Sequence, residues 1–220
     1  MKYRNLRTAK GFTLIEILVV IAILAALSAT AWVVFDSVTD KQDKSTAEMQ
    51  IGKLAACMTE FMSNAEMHDK VLYGEGDENS AFALYKMLNS DFNGDGESDS
   101  VKGVALPIAC KELTYYDQGS GEKPEGLLYS KNEAGQFVIL DPWGRGYRYR
   151  LGYGRKGVRS SAASKGGKVK RAKDADKPRK GPGVNVDFDI FTLGPDGLGD
   201  GLSNKGENED NVSNIKFLKG

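Results

Sequence analysis

"KGFTLIEILVV", residues 10–20, opens an apolar run that carries a carboxylate close to its start. The run continues to Phe35, and Glu16 is the one charge among the 24 positions from Phe12 onward. As a helix rising about 1.5 Å per residue it would span about 36 Å, enough for a bilayer core of about 30 Å. Ahead of Glu16 stand Lys2, Arg4, Arg7 and Lys10, and no acid. Such a basic flank keeps an N-terminus cytoplasmic and predicts that the remaining chain lies beyond the membrane. The segment therefore reads as an anchor or a secretory signal.

Glu16 is the anomaly. A charge at the centre of a membrane helix costs about 2.5 to 3.5 kcal/mol, and less near an end, where it reaches the interface. The carboxylate either snorkels or meets a cation. Cleavage after Gly11 would create an α-amino group on Phe12, four residues before Glu16. In a bundle of identical helices, Glu16 of one subunit could then pair with Phe12 of its neighbour, neutralising both charges and setting the stagger.

The combination of basic leader, Gly11, Phe12 and Glu16 inside an apolar run resembles the class III leader of type IV prepilins and pseudopilins. The resemblance implies cleavage of the Gly11–Phe12 bond by a prepilin peptidase, methylation of the new amine, and an assembly role for Glu16. The rival is an ordinary signal peptide cut after Ala31, at the "ATA" of residues 29–31. Against it, the run is long for a signal sequence and contains Glu16.

The chain has 220 residues, with 30 basic, 30 acidic and one histidine. That length suits one domain, or one domain plus an appendage. From Asp36 to Met67 no proline occurs, and Ile51, Leu54, Ala55, Met58, Phe61, Met62 and Ala65 recur at amphipathic-helix spacing. This stripe predicts a helix packed on a sheet. "SAFALYKMLN", residues 80–89, predicts a second, short helix capped by Asn79 or Ser80. Residues 91–126 read as loop-rich. Strand signals follow at 126–130, 136–140, 147–153 and 186–193, with "DPWGRG" placed as a tight turn between two of them. The expected organisation is a leader at 1–11, a membrane and polymerisation segment at 12–35, an amphipathic half-helix at 36–70 and a globular α+β domain at 71–220. In many relatives a glycine and a kinking proline interrupt the anchor; Ala25 and Val33 stand there here, and predict a continuous helix.

Two further stretches resemble the major pseudopilins of the type II secretion system, the general secretion pathway protein G family. "FVILDPWGRGYRYR", residues 137–150, resembles that family's D-P-W-G segment, with Trp143 anchoring the turn. "DIFTLGPDGLGDG…NEDNVSN", within 189–214, resembles its C-terminal calcium loop. The resemblance implies a type IV pilin-like fold: a long N-terminal helix on a small antiparallel β-sheet, closed by that loop. It assigns calcium to Asp196, Asp210, Ser213 and the Leu193 carbonyl, with Asn211 and Asp200 as further candidates. Asn211 and Ile215 depart from the family's usual Asp and Trp.

The implied function is a structural subunit of a periplasmic filament that helps export folded proteins. Implied partners are further copies of the chain, minor pseudopilins, an inner-membrane assembly platform and the prepilin peptidase. The chain would be held in the inner membrane before assembly, with its globular domain in the periplasm. The alternatives are a type IV pilin of a surface fibre or DNA-uptake system, and a soluble secreted calcium-binding protein.

"DFNGDGESD", residues 91–99, places Asp91, Asn93, Asp95 and Asp99 at EF-hand-like positions, but Lys102 stands where the bidentate glutamate belongs. It reads either as half a calcium motif or as an Asx-rich turn. Residues 155–180 hold eleven basic residues and two acids, without aromatics. They read as a basic, mobile insertion (155–183) or as a patch for an anionic polymer; lacking stacking groups, they do not point to a nucleic-acid partner. Cys57 and Cys110 either pair as a disulfide outside the cytoplasm or remain free, with Cys57 on the apolar stripe. No P-loop, dinucleotide fingerprint or nucleophile motif accompanies His68, and no enzyme is expected.

Overall fold

A computed structural model describes residues 12–65, 67, 70–101, 104–121, 123–159, 179–201, 206 and 210–215, with backbone only for 29–37, 101, 104, 158, 159 and 179. The chain divides into two units, Met1–Gln42 and Asp43–Gly220. Helix α1 runs unbroken from Leu14 to Ser63, through both Ala25 and Val33. In the first unit the side chains from Phe12 to Ser28 are exposed throughout, including Phe12 at 83%, Ile15 at 68% and Ile21 at 58%.

The second unit buries the amphipathic stripe. Ala47, Ile51, Leu54, Met58, Phe61 and Met62 of α1 join one core cluster. Ala55 is half-buried, while Ala65 lies past the helix end and is exposed. Helix α2, Glu78–Asn89, contributes Phe82, Leu84, Tyr85, Met87 and Leu88 to the same core. Its N-cap is Asp77, whose carboxylate accepts the Ser80 amide at 2.9 Å. The helix thus begins earlier than the 80–89 signal suggests, because aspartate caps as well as asparagine or serine.

The described residues also form eleven short strands, β1 lying between the two helices and the rest after α2: β1 Leu72–Tyr73, β2 Ser100–Val101, β3 Val104–Ala105, β4 Leu113–Tyr115, β5 Leu127–Lys131, β6 Phe137–Leu140, β7 Arg148–Leu151, β8 Lys156–Arg159, β9 Arg179–Lys180, β10 Phe188–Thr192 and β11 Val212–Ser213. They form four small sheets, ordered β1-β8-β9, β11-β10-β7, β4-β5-β6 and β2-β3. The β1–β8 and β4–β5 pairs are parallel. The α+β organisation holds, but in place of the single antiparallel sheet expected from the sequence the described residues form four small ones, two antiparallel (β11-β10-β7 and β2-β3) and two mixed. At the DPWGRG turn β6 and β7 touch through a single bridge, Leu140–Gly146, with the Asp141 amide donating to the Arg145 carbonyl at 2.7 Å and the Tyr147 amide to the Ile139 carbonyl at 2.8 Å, while β6 takes its ladder with β5 and β7 with β10.

Strand β6 is buried on both faces, and its alternation sorts the side chains. Phe137 and Ile139 enter the main core, while Val138 and Leu140 meet Ala81 and Leu128 in a second cluster. Buried aromatic hydroxyls keep partners. Tyr147 donates to Gln50 Oε1 at 2.8 Å, and Gln50 in turn donates to the Gly126 carbonyl, linking α1 to the sheets. The β7 and β10 backbones cross so closely that a Cβ on Gly152 would lie 2.3 Å from the Asp187 carbonyl carbon. Strands β8 and β9 pair antiparallel at the two ends of the basic insertion. Residues 160–178 of that insertion, and His68 and Lys102, lie outside the described residues.

Candidate functional site

Gly11 lies outside the described residues; Phe12, the expected new N-terminus, is the first one described. At the head of α1, Thr13 and Glu16 close a reciprocal cap. The Glu16 amide donates to Thr13 Oγ1 at 3.3 Å, and Glu16 Oε2 accepts the Thr13 amide at 2.7 Å and its hydroxyl at 2.8 Å. This is a capping box, Thr-x-x-Glu, that occupies otherwise unpaired helix donors. It also sets a negative charge on the positive end of the helix. The signal was visible as "TLIE" before an apolar run, but a reading of Glu16 only as a membrane charge passes over it. Among the described residues no helix is long and apolar enough to cross a membrane. The described side chains of this stretch end at Ser28, while the sequence stays uncharged to Phe35.

The DPWG turn is a load point between sequence-distant segments. Asp141 is fully buried. Its Oδ1 accepts the Arg145 amide at 2.8 Å, and its Oδ2 accepts the Thr192 hydroxyl. Burial, opposed by these hydrogen bonds, pushes the Asp141 carboxyl above the ordinary carboxylate range. Gly144 closes the turn at φ +85°, a conformation that glycine adopts without strain. Trp143 is half-buried against the main core.

From Thr192 the chain enters the C-terminal loop. Pairing of Val212 with Thr192 brings residues 193–196 beside Asp210. Asp210 Oδ2 lies 3.5 Å from the Asp196 amide, and Asp196 Oδ1 accepts the Leu198 amide at 2.8 Å. Ser213 follows Val212 on β11, its hydroxyl accepting the Ile215 amide at 3.3 Å, and the Asn211 side-chain oxygen is buried. Leu193 is buried, whereas Asp200 is exposed and its carbonyl accepts from Arg150. Glu207 and Glu209 lie outside the described residues.

Two arginines pin this loop. Arg145 donates to the Gly194 and Pro195 carbonyls, the latter at 3.0 Å. Arg150, 4% exposed, donates to the carbonyls of Glu75 and Asp200, packs 4.6 Å over the Phe191 ring and faces buried Asp189 at 3.9 Å. Among the described residues no group of three or more His, Cys, Asp or Glu side chains is placed to hold a metal. Asp196 and Asp210 meet through the Asp196 amide, not through paired carboxylates.

The 91–99 loop is closed by its own amides. Asp91 accepts from the amides of Gly94, Asp95 and Gly96, and Asp99 from those of Phe92 and Asn93. Asn93 Oδ1 and Asp95 Oδ1 accept further amides, and the Asn93 side-chain amide bridges Asp95 and Asp99. Beneath it Lys86, 3% exposed, donates to the Phe92 carbonyl at 2.8 Å and lies 4.2 Å over the Phe82 ring. The pattern is that of successive Asx turns.

Cys57 and Cys110 are free thiols in the structure, Cys57 half-buried and Cys110 buried. Both pack in the main core cluster.

Residues 6–32 match the prokaryotic N-terminal methylation motif, the processing motif of type IV pilin-like proteins, pilins and pseudopilins alike. The match includes Gly11, Phe12, Thr13 and Glu16, and implies an N-terminal hydrophobic anchor that holds the chain in a membrane before assembly. No solved structure matches the chain.

Proposed function

We propose that the chain is a filament subunit, the major pseudopilin of a type II secretion system. The observation that carries this reading is the methylation motif at 6–32, set at the head of a 50-residue helix whose first side chains are all exposed. Prepilin peptidase cuts Gly11–Phe12 and the Phe12 amine is methylated. The apolar segment holds the subunit in the inner membrane and then packs with its copies in the filament. Glu16 sets register by meeting the Phe12 amine of a neighbour, exchanging its bonds to Thr13 for that pair. The DPWG turn and the TLGPDG loop favour secretion over the surface-fibre alternative. The role is structural rather than enzymatic.

Calcium fits the second unit as a staple on the C-terminal loop. Asp196 and Asp210 would supply its carboxylates, with Ser213 and the Leu193 carbonyl as neutral donors. A bound ion would screen the two carboxylates and fix a loop that has few apolar contacts.

The test is the intact mass and N-terminal sequence of the chain purified from membranes. A start at Phe12 with one added methyl group is expected. A start at Trp32 or Met1 would sink the filament reading.

A further inference from the structure

Cys57 and Cys110 lie far apart in sequence, yet both enter one core. Cys57 is carried by α1 between the fully buried Leu54 and Met58, so its position on the helix is fixed. Cys110 is held by its amide, which donates to the Leu88 carbonyl at 3.0 Å at the end of α2. The two segments meet: Lys53, one helical turn before Cys57, reaches Glu112, two residues beyond Cys110, at 3.1 Å. Burial first, and then Cys57, push the Cys110 thiol above the ordinary thiol range. The pair is asymmetric, because Cys57 is half-buried while Cys110 is 1% exposed.

We propose that Cys57 and Cys110 are an oxidisable pair that closes a disulfide after export, tying α1 to the segment that leads into β4. The oxidant is a protein disulfide of the dithiol-oxidoreductase class. The more accessible Cys57, as thiolate, attacks one sulfur of that disulfide and displaces the other as a thiolate. Cys110, losing its proton, then attacks the Cys57 sulfur of the mixed disulfide and releases the donor's second thiolate. Two thiols are oxidised to one disulfide, and the donor disulfide is reduced to a dithiol that takes up the two protons. The bond would close a loop on the order of 50 residues, which restrains the unfolded chain strongly. It would also lock the buried half of α1 to the domain against a pull along the helix.

The timing of closure rests on the export reading; the pairing rests on the two side chains alone. The experiment separates them. The full chain is purified from membranes under an alkylating agent, digested, and its N-terminal and cysteine peptides are mapped together. A Phe12 start with a Cys57–Cys110 linked peptide is expected. A Phe12 start with both cysteines alkylated would overturn the disulfide and leave processing intact. If the chain starts at Met1, the export reading fails, and the same protein is incubated in a glutathione redox buffer. An intramolecular link there supports the pairing, whereas unreacted thiols or a glutathione adduct on Cys57 alone overturns it. As a second readout, reductant should lower the melting temperature of the oxidised chain by roughly 5–15 °C and leave a C57S/C110S double variant unmoved.

Discussion

The buried carboxylate of Asp141, first residue of the DPWG turn, accepts a hydrogen bond from the hydroxyl of Thr192, last residue of β10. One contact thereby couples the two stretches that the sequence singles out separately. The turn cannot shift without moving the start of the C-terminal loop.

The sign of the pH effect follows from burial. Asp141 has a folded-state affinity for its proton raised above the unfolded one, chiefly by desolvation. Its ionisation therefore favours the unfolded chain, and its contribution to stability is fully present at low pH and declines as pH rises from the ordinary carboxylate range through the raised folded value. Asp141→Asn should flatten this dependence and stay within about 1 kcal/mol of the parent near neutrality. Asp141→Ala should lose about 2–3 kcal/mol, because the Thr192 hydroxyl and the Arg145 amide lose their acceptor. Urea unfolding of both variants across acid to neutral pH measures this; a parallel pH profile for the asparagine variant would refute it.

Arg150 carries more than its ion pair. It sits directly across the ladder from Asp189, whose carboxylate already accepts the Val184 and Asn185 amides at 2.7 and 2.9 Å. Arg150→Ala should cost about 3–5 kcal/mol by leaving a buried charge and two loop carbonyls without their donor. Arg150→Lys should recover only part of it, since an ammonium cannot reproduce the planar fork. Denaturant midpoints of the two variants give the comparison.

At the other end of the chain, Thr13→Val should weaken the α1 cap by about 1 kcal/mol, and Thr13→Ser should not. Hydrogen exchange of the Thr13 to Ile17 amides should then run about fivefold faster in the valine variant alone. Equal rates in the two variants would mean that the capping box contributes nothing.

If calcium staples the C-terminal loop, chelator should lower the melting temperature of the chain, and Asp196→Ala or Asp210→Ala should abolish that response. Asp95→Ala, in the self-closed 91–99 loop, should leave it in place. An identical melting temperature with calcium and with chelator would count against the assignment.

Much of this molecule was legible along the chain, and most of the illegible part depends on contacts between residues distant in sequence. The α1 stripe from Ile51 to Met62 and the strands around DPWG announce themselves by periodicity, which depends only on neighbours in sequence. The parallel β1–β8 pair does not, because a two-residue strand, Leu72–Tyr73, has no period to read. Similarly, the alternation in "YRYRLGY" exposes Tyr149 and Arg150 as opposite-facing residues but says nothing of which carbonyls Arg150 will reach. The Thr13 cap is a different lapse: its pattern is local, and a second explanation for Glu16 hid it. In the 91–99 loop, "DFNGDGESD" displays its oxygens but not that backbone amides will take them.

The ladder between β8 and β9 sets Gly157 opposite Arg179 and Lys156 opposite Lys180. The residues that border the basic stretch are thus held together as one doorway, a stem with β1 paired along the other side of β8. Such a doorway makes the excursion interchangeable: a tight two-residue turn could replace it, or a longer sequence extend it, while the strands on either side keep their register.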